Sequence, residues 1–337
     1  MTVEQLMKMP KIDAHVHLMG LAESEEAPLF EALEDLNFKW LDICTSTFQD
    51  VPLEAQVRLA ERLHARYPER ISWTTSFELT GWGRPGWESI SLGQLEKKFE
   101  KGAVGVKVWK EIGMILKDSD GSYVMIDDPR FGPLFDCIES WDRTCVGHIG
   151  EPLNCWMPLE KMTVVSDRKY FAGHPEYHCY LHPEVPHHSK QIQARDNVLA
   201  EHPGLRFVGA HLGSLEYDVA EVARRLDRYP GFAVDLAERI CHFQAQDRRK
   251  VREFCIEYQD RILYGTDLGA GRDYTGTDID SAIGKMKKTY IEDFRYFATD
   301  DEIQAWQVEG KFRGLALPDE MLVKIFHDNA VKWYKGL

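Results

Sequence analysis

Two histidines one residue apart, His15 and His17, stand in the stretch KIDAHVHLMG near the start of the chain. Residues 12–18 read as a β-strand. Side chains two apart on a strand share a face, roughly 7 Å apart at Cα. Two neutral imidazoles converging in this way make half of a metal site. Hydrogen-bonded core histidines are the ordinary alternative. Three more residues weigh against it: His148 in CVGHIGE, His211 in FVGAHLGS and Asp267 in LYGTDLG. Each ends an apolar run and has a glycine two positions on, which leaves room for a ligand.

The elements that must hold these residues recur along the chain. Strand-like runs are expected at 12–18, 38–45, 71–79, 104–109, 144–150, 206–212, 232–236 and 262–267. Several are almost continuously apolar, as buried parallel strands are. Between them lie helical stripes. Val219, Val222, Ala223 and Leu226 are spaced i, i+3, i+4, i+7, as are Val251, Phe254, Cys255 and Tyr258. Leu322, Ile325, Phe326, Ala330 and Trp333 form a last stripe. Eight strands alternating with helices predict an α/β fold, a (β/α)8 TIM barrel in which one domain spans 1–337. A doubly wound sheet would want a glycine-rich phosphate loop after its first strand, and HLMGLAES is not one. Two connections are long. The segment 152–188 follows the fifth strand as a lid-like insertion, and 269–318 follows the eighth, with helical pieces such as DEIQAWQVEG expected in it.

In such a barrel, Val16 and Leu18 suit the helix layer, which sends His15, His17 and also Asp13 to the interior. The strand C-termini, where all five candidates lie, are the active-site end.

The composition bounds partners and compartment. The formal charge is −14 over 337 residues, which argues against nucleic acid or an anionic membrane as partner. The expected partner is a small-molecule substrate, and a homodimer is an open option. Seven cysteines, an odd number without a CxxC pair, fit reduced thiols and a cytoplasmic location. Neither a signal peptide core nor a membrane-length apolar run is evident.

With these residues in place, the chain resembles the amidohydrolase superfamily, in the branch that includes aminocarboxymuconate-semialdehyde decarboxylase and related hydrolases. DAHVH resembles the first-strand signature of that family. GHIGE, AHLGS and GTD resemble its fifth-, sixth- and eighth-strand signatures, and DNAVKWY its closing helix. The resemblance implies that His15, His17, His148 and Asp267 bind one divalent metal ion, with His211 as acid/base beside it. Zn²⁺ suits three imidazoles and a carboxylate best, with Mn²⁺ and Fe²⁺ as alternatives. A metal-activated water would attack a carbonyl-type centre, an amide, ester, lactone or activated C–C bond. Asp267 would relay the water's proton, and His211 would polarise or protonate the substrate. The family also allows a non-oxidative decarboxylase of a small carboxylic acid. A non-catalytic metal-binding protein is the minor alternative.

Substrate contacts are expected from Lys107, Trp109, Asn154, Trp156 and Arg239. Lys107 and Trp109 point inward from the fourth strand, while Lys110 could turn either way. An inward lysine is costly unless paired or functional. Pairing with Asp13 or Glu78 deep in the barrel is one reading, contact with an anionic substrate another, and a metal-bridging carbamate a third. His174, His178, His182, His187 and His188 in the insertion could form a second zinc site, although Pro175 and Pro183 interrupt the helix that would align them. A polar lid with one or two of these histidines reaching the cavity is the preferred reading. Trp82 and Trp87 either line a pocket or pack beneath their loop.

Overall fold

The computed structural model describes residues 1–46, 51–270 and 278–337. The expected strands form where the apolar runs lie: β1 Lys11–Leu18, β2 Phe38–Ile43, β3 Ile71–Thr74, β4 Gly105–Val108, β5 Thr144–Gly147, β6 Arg206–Gly209, β7 Phe232–Asp235 and β8 Ile262–Leu263. A short β9, Leu268–Ala270, continues from β8. Every pairing among them is parallel. Thr75 bridges to Val106 and so joins β3 to β4. The ring closes where Ala14 N donates to Tyr264 O at 2.9 Å, Asp267 N donates to His15 O at 2.8 Å, and β9 pairs with β1. The result is a (β/α)8 barrel.

The helical stripes bury as their spacing requires. Val219, Val222 and Leu226 are covered on the helix Val219–Arg228, and Val251, Phe254 and Cys255 on Arg248–Glu257. Asp218 and Asp247 cap these helices through their side chains, accepting from Ala220 N and Lys250 N. The lower barrel is filled by Ile12, Ala14, Leu41, Val146, Val208 and Ala233, with Trp333 of the C-terminal helix Asn329–Trp333 and the following Tyr334 packed against them. Asn329 fastens that helix, donating at 2.7 Å to Gln259 O and Ile262 O.

One alternation argument fails within β1. The β1–β2 register shifts between Asp13 and Val16. Such a bulge inserts an extra residue and re-aims the side chains beyond it. Below it, Ile12 and Ala14 point inward; above it, His15 and His17 do. Asp13 therefore does not share the face of the histidines. It lies toward the helix layer, accepting from Tyr290 Oη at 2.9 Å and Thr266 Oγ1 at 2.6 Å.

The long segments also differ from expectation. DEIQAWQVEG is not helical: Glu302–Ile303 pairs with Phe312–Arg313 as a short antiparallel hairpin. The helix of that region is Ile279–Ala298. Part of the expected connection, 271–277, lies outside the described residues. In 152–188, short 3₁₀ turns flank one helix, Val165–Gly173. Cys155, Met162, Phe171 and Cys179 form a small cluster of their own. Tyr170, Tyr177 and Tyr180 stay about half exposed rather than packing on the barrel. No helix among the described residues is long and apolar enough to cross a membrane.

Candidate metal centre

At the C-terminal mouth of the barrel, His15 and His17 from β1 meet Asp267 from the segment after β8. His17 Nε2 lies 3.0 Å and His15 Nε2 3.6 Å from Asp267 Oδ1. Donors held about 2.0–2.2 Å from one tetrahedral ion stand about 3.3–3.6 Å apart. The 3.6 Å separation lies in that range and the 3.0 Å one, a His17–Asp267 hydrogen bond, is a few tenths of an ångström shorter, so two imidazoles and a carboxylate could close on a single divalent cation with a small shift. His15 is oriented for the task. Its Nδ1–H donates to Asp235 Oδ2 at 2.8 Å, which leaves the Nε2 lone pair facing the cluster.

His148 stands outside this three-residue group, its ring 4.2 Å from that of His211. The His211 ring lies in turn 5.1 Å from His15. His211 Nδ1 donates to Ala237 O at 2.9 Å, so Nε2 is its lone-pair nitrogen. Burial pushes the His148 and His211 pKa values well below the usual imidazole range, and their mutual proximity adds to this for His148. His15 is lowered by burial and by the charge of Lys107. Neutral imidazoles are the form that metal binding and base chemistry require. Burial alone would raise Asp267, but the hydrogen bond from His17 and the polar imidazole edges gathered around it hold it well below the carboxylate range.

The backbone around these groups is unusual. His211, Leu212, Gly213 and Ser214 have φ of 59°, 58°, 62° and 55°, a complete left-handed turn. Each non-glycine residue there costs about 1–2 kcal/mol. Asp267 also has positive φ, 63°. Strained backbone at both a metal-ligand candidate and an acid/base candidate is typical of functional sites.

Asp235, at the end of β7, was missed by sequence reasoning. It accepts from the His211 backbone N at 2.8 Å as well as from His15 Nδ1, and so ties the His15 imidazole and the His211 backbone to one carboxylate. A lone aspartate ending the apolar run FAVD was the same kind of signal that marked His148 and Asp267.

A cavity of about 120 Å³ opens over the cluster, with Lys107, Trp109, Lys110, His148, His211 and Asp267 in its wall. Lys107 is buried, with Nζ 3.1 Å from His15 Nε2. It is not paired with Asp13, whose oxygens accept from His15 N, Thr266 N, Thr266 Oγ1 and Tyr290 Oη. Burial draws Lys107 down to about 8, against the opposing pull of Asp267 and Asp235. Lys110 forms an ion pair with Glu151.

The remaining candidates are placed differently. Asn154 is buried with its amide engaged inside the insertion, donating to Asp167 Oδ2 at 2.8 Å and Thr163 Oγ1 at 3.1 Å. Trp156 packs on His188 with ring centroids 5.6 Å apart, and among the described residues its Nε1 has no hydrogen-bond partner. Arg239 lies just past β7 and bonds Glu238 O at 3.1 Å, its Nε likewise unmatched. The insertion's histidines do not line this cavity. His178 bonds Met157 O, His182 bonds Pro175 O and His188 bonds Ser214 O. Trp82 and Trp87 pack on each other and on Phe131 beneath their loop.

A family model described as Amidohydrolase matches residues 12–336. No curated protein matches the chain. Among solved structures, 2,6-dihydroxybenzoate decarboxylase from Rhizobium is similar with a TM-score of 0.57 at 15% identity, covering 97% of this chain and 99% of the other. A dihydroxybenzoic acid decarboxylase from Polaromonas sp. JS666, with bound manganese and the inhibitor 2-nitroresorcinol, gives 0.56 at 13%, covering 97% of each chain. 5-Carboxyvanillate decarboxylase from Sphingomonas paucimobilis gives 0.52 at 12%, covering 97% of this chain and 99% of the other. At these identities the likeness concerns the fold.

Proposed function

From the premise that this chain is a member of the amidohydrolase family, we propose a metal-dependent hydrolase acting on a carbonyl-type centre in a small polar substrate. The observation that carries this reading is the convergence of His15, His17 and Asp267 beside the lone-pair nitrogen of His211. His15, His17 and Asp267 would hold one divalent ion, with His148 as the further candidate donor. Zn²⁺ suits this donor set; Mn²⁺, present in the Polaromonas structure, and Fe²⁺ also suit it. When bound, the ion supplies Lewis acidity, which polarises a carbonyl and makes water nucleophilic near neutral pH.

The chain's own residues divide the remaining work. Asp267 accepts the proton of the attacking water and passes it to the leaving atom. His211 Nε2 takes or returns a proton at the substrate. Lys107 and Lys110 hold developing or resident negative charge in the cavity, and Trp109 covers it. Arg239 supports a substrate carboxylate from the β7 side, and the Trp156 indole N–H offers a donor at the insertion.

A second reading, non-oxidative decarboxylation, is favoured by the three decarboxylases of similar fold and by the lysine-lined cavity. There His211 protonates the carbon from which CO₂ departs. One experiment separates the two. Metal-loaded protein is offered amides, lactones and aromatic acids in ¹⁸O-water. Label in a product carboxylate identifies hydrolysis. Released CO₂ with no label in the organic product identifies decarboxylation. Metal-loaded protein inert towards every class would defeat both readings.

A further inference from the structure

The left-handed turn 211–214 is gripped from outside the barrel ring. Its carbonyls at Gly213 and Ser214 accept from Arg195 Nη1 and from His188 Nε2, the latter at 2.6 Å. Both donors belong to the helix His188–Glu201, into which the insertion 152–188 runs. A carbonyl only accepts, so His188 carries its proton on Nε2. Burial lowers its pKa to about 4, which keeps the ring neutral.

Arg195 is buried and braced on every side. Asp196 Oδ1 accepts from its Nη2 at 2.7 Å and its Nε at 3.2 Å, and Arg225 Nε holds the other oxygen of Asp196 at 3.1 Å. The guanidinium lies over the Phe232 ring at 4.9 Å. The turn fits closely beneath it. A Cβ on Gly213 would come within 2.9 Å of Arg195 Nη1, and one on Gly209 within 2.8 Å of the Gly213 Cα. The turn thus folds back on its own strand under the guanidinium, at a place where only glycine fits. His188 is seated between Trp156, at 5.6 Å, and Tyr217, at 5.8 Å.

We propose that Arg195 and His188 are positioning residues: they hold the left-handed turn that aims His211 Nε2 into the cavity, and they link that aim to the seating of the insertion. The proposal rests on the acid/base reading of His211 given above. Left-handed residues persist only where their surroundings over-determine them. Here the determinants are the two donors on one helix, together with Asp235 on His211 N and Ala237 O on its ring.

The test reads the His211 ring directly. The full chain, purified with Zn²⁺ and labelled with ¹⁵N-histidine, is examined by long-range ¹⁵N–¹H NMR, with His211 assigned by its loss in His211→Asn. The wild type should show one Nδ1–H tautomer with a slowly exchanging proton. In Arg195→Ala that proton should exchange at least about tenfold faster and the tautomer signal should average, while the His15 signals hold. His188→Gln should act in the same direction and serves if Arg195→Ala does not fold. An unchanged His211 signal in either folded variant overturns the proposal. Full turnover in His211→Asn would remove the acid/base reading instead, and would leave the tautomer result standing.

Discussion

The Asp235 carboxylate accepts the Nδ1–H of His15 at 2.8 Å, and both side chains are fully buried. Its other oxygen accepts from His211 N at 2.8 Å and Ala237 N at 3.2 Å. Asp235 therefore sets the tautomer of a metal-ligand candidate and the backbone of an acid/base candidate together. Asparagine would present an amide N–H₂ to at least one of these donors. Partners of this kind typically contribute 10–100-fold to metal affinity. Asp235→Asn should weaken Zn²⁺ binding by about that factor, read by chelator competition. Unchanged affinity would mean that His15 is not a ligand.

The three-residue cluster and the position of His148 make a graded expectation. Purified protein should carry about one divalent ion per chain by elemental analysis. His15→Ala, His17→Ala and Asp267→Ala should each abolish retention. His148→Ala should weaken it less, because His148 packs on His211 and stands outside the cluster. Equal loss in all four variants would make His148 a full ligand.

Much of this site is legible in the sequence, and the reason is chemical. Histidine or aspartate ending a buried apolar run is expensive unless it has a use, so His15, His17, His148, His211 and Asp267 stood out from their surroundings. All five gather at one barrel mouth. The fold was legible for a related reason: strands buried on both faces leave continuous apolar runs, and these matched β1 to β8 in order. Asp13 was misplaced because a bulge depends on pairing with β2, which local alternation does not encode. The left-handed turn at His211 is hidden as well, since HLGS reads as an ordinary strand exit; its cause lies in side chains of the preceding helix, Arg195 and His188, whose aim at these carbonyls is a tertiary contact.

The insertion offers a test of the lid expectation. It leaves β5 just past His148, and Val165 N donates to Gln307 O at 2.7 Å, so it is fastened to the segment that follows the eighth strand. Replacing 170–180 by a short Gly/Ser link removes Phe171 and Cys179 from the insertion's cluster and leaves Cys155 and Met162 of it in place. Metal content should be retained, while KM should rise at least about tenfold or turnover be lost, as when a closing element is removed. Unchanged KM would make the insertion a surface elaboration.

Stability should carry a pH signature from Asp293. Burial raises its pKa to about 8, with the Tyr264 hydroxyl, at 2.7 Å, opposing that rise. The folded state thus keeps a proton that the unfolded state gives up near pH 4. Stability from this group is full below about pH 4 and is lost progressively as pH rises towards 8. Asp293→Asn should remove that slope. The Tm of the variant should gain on the wild type as pH is raised from about 4 to 8, measured by calorimetry. A constant Tm difference across that range would show that Asp293 ionises normally.

Lys107 gives a test in which two readouts move in opposite directions. Its ammonium lies 3.1 Å from His15 Nε2, in the wall of the cavity over the metal-ligand candidates. A positive charge there opposes a divalent cation and attracts an anion, and low-dielectric surroundings strengthen both effects. Lys107→Met keeps much of the aliphatic volume and removes the charge. Zn²⁺ affinity should therefore rise, by about tenfold or less, while inhibition by small carboxylates weakens by about tenfold or more. Chelator competition reads the first, and calorimetric titration of the metal-loaded protein with a benzoate reads the second. A lysine that only filled space would change neither. A lysine needed to assemble the metal site would lower Zn²⁺ affinity, and that result would overturn the charge argument for the cavity.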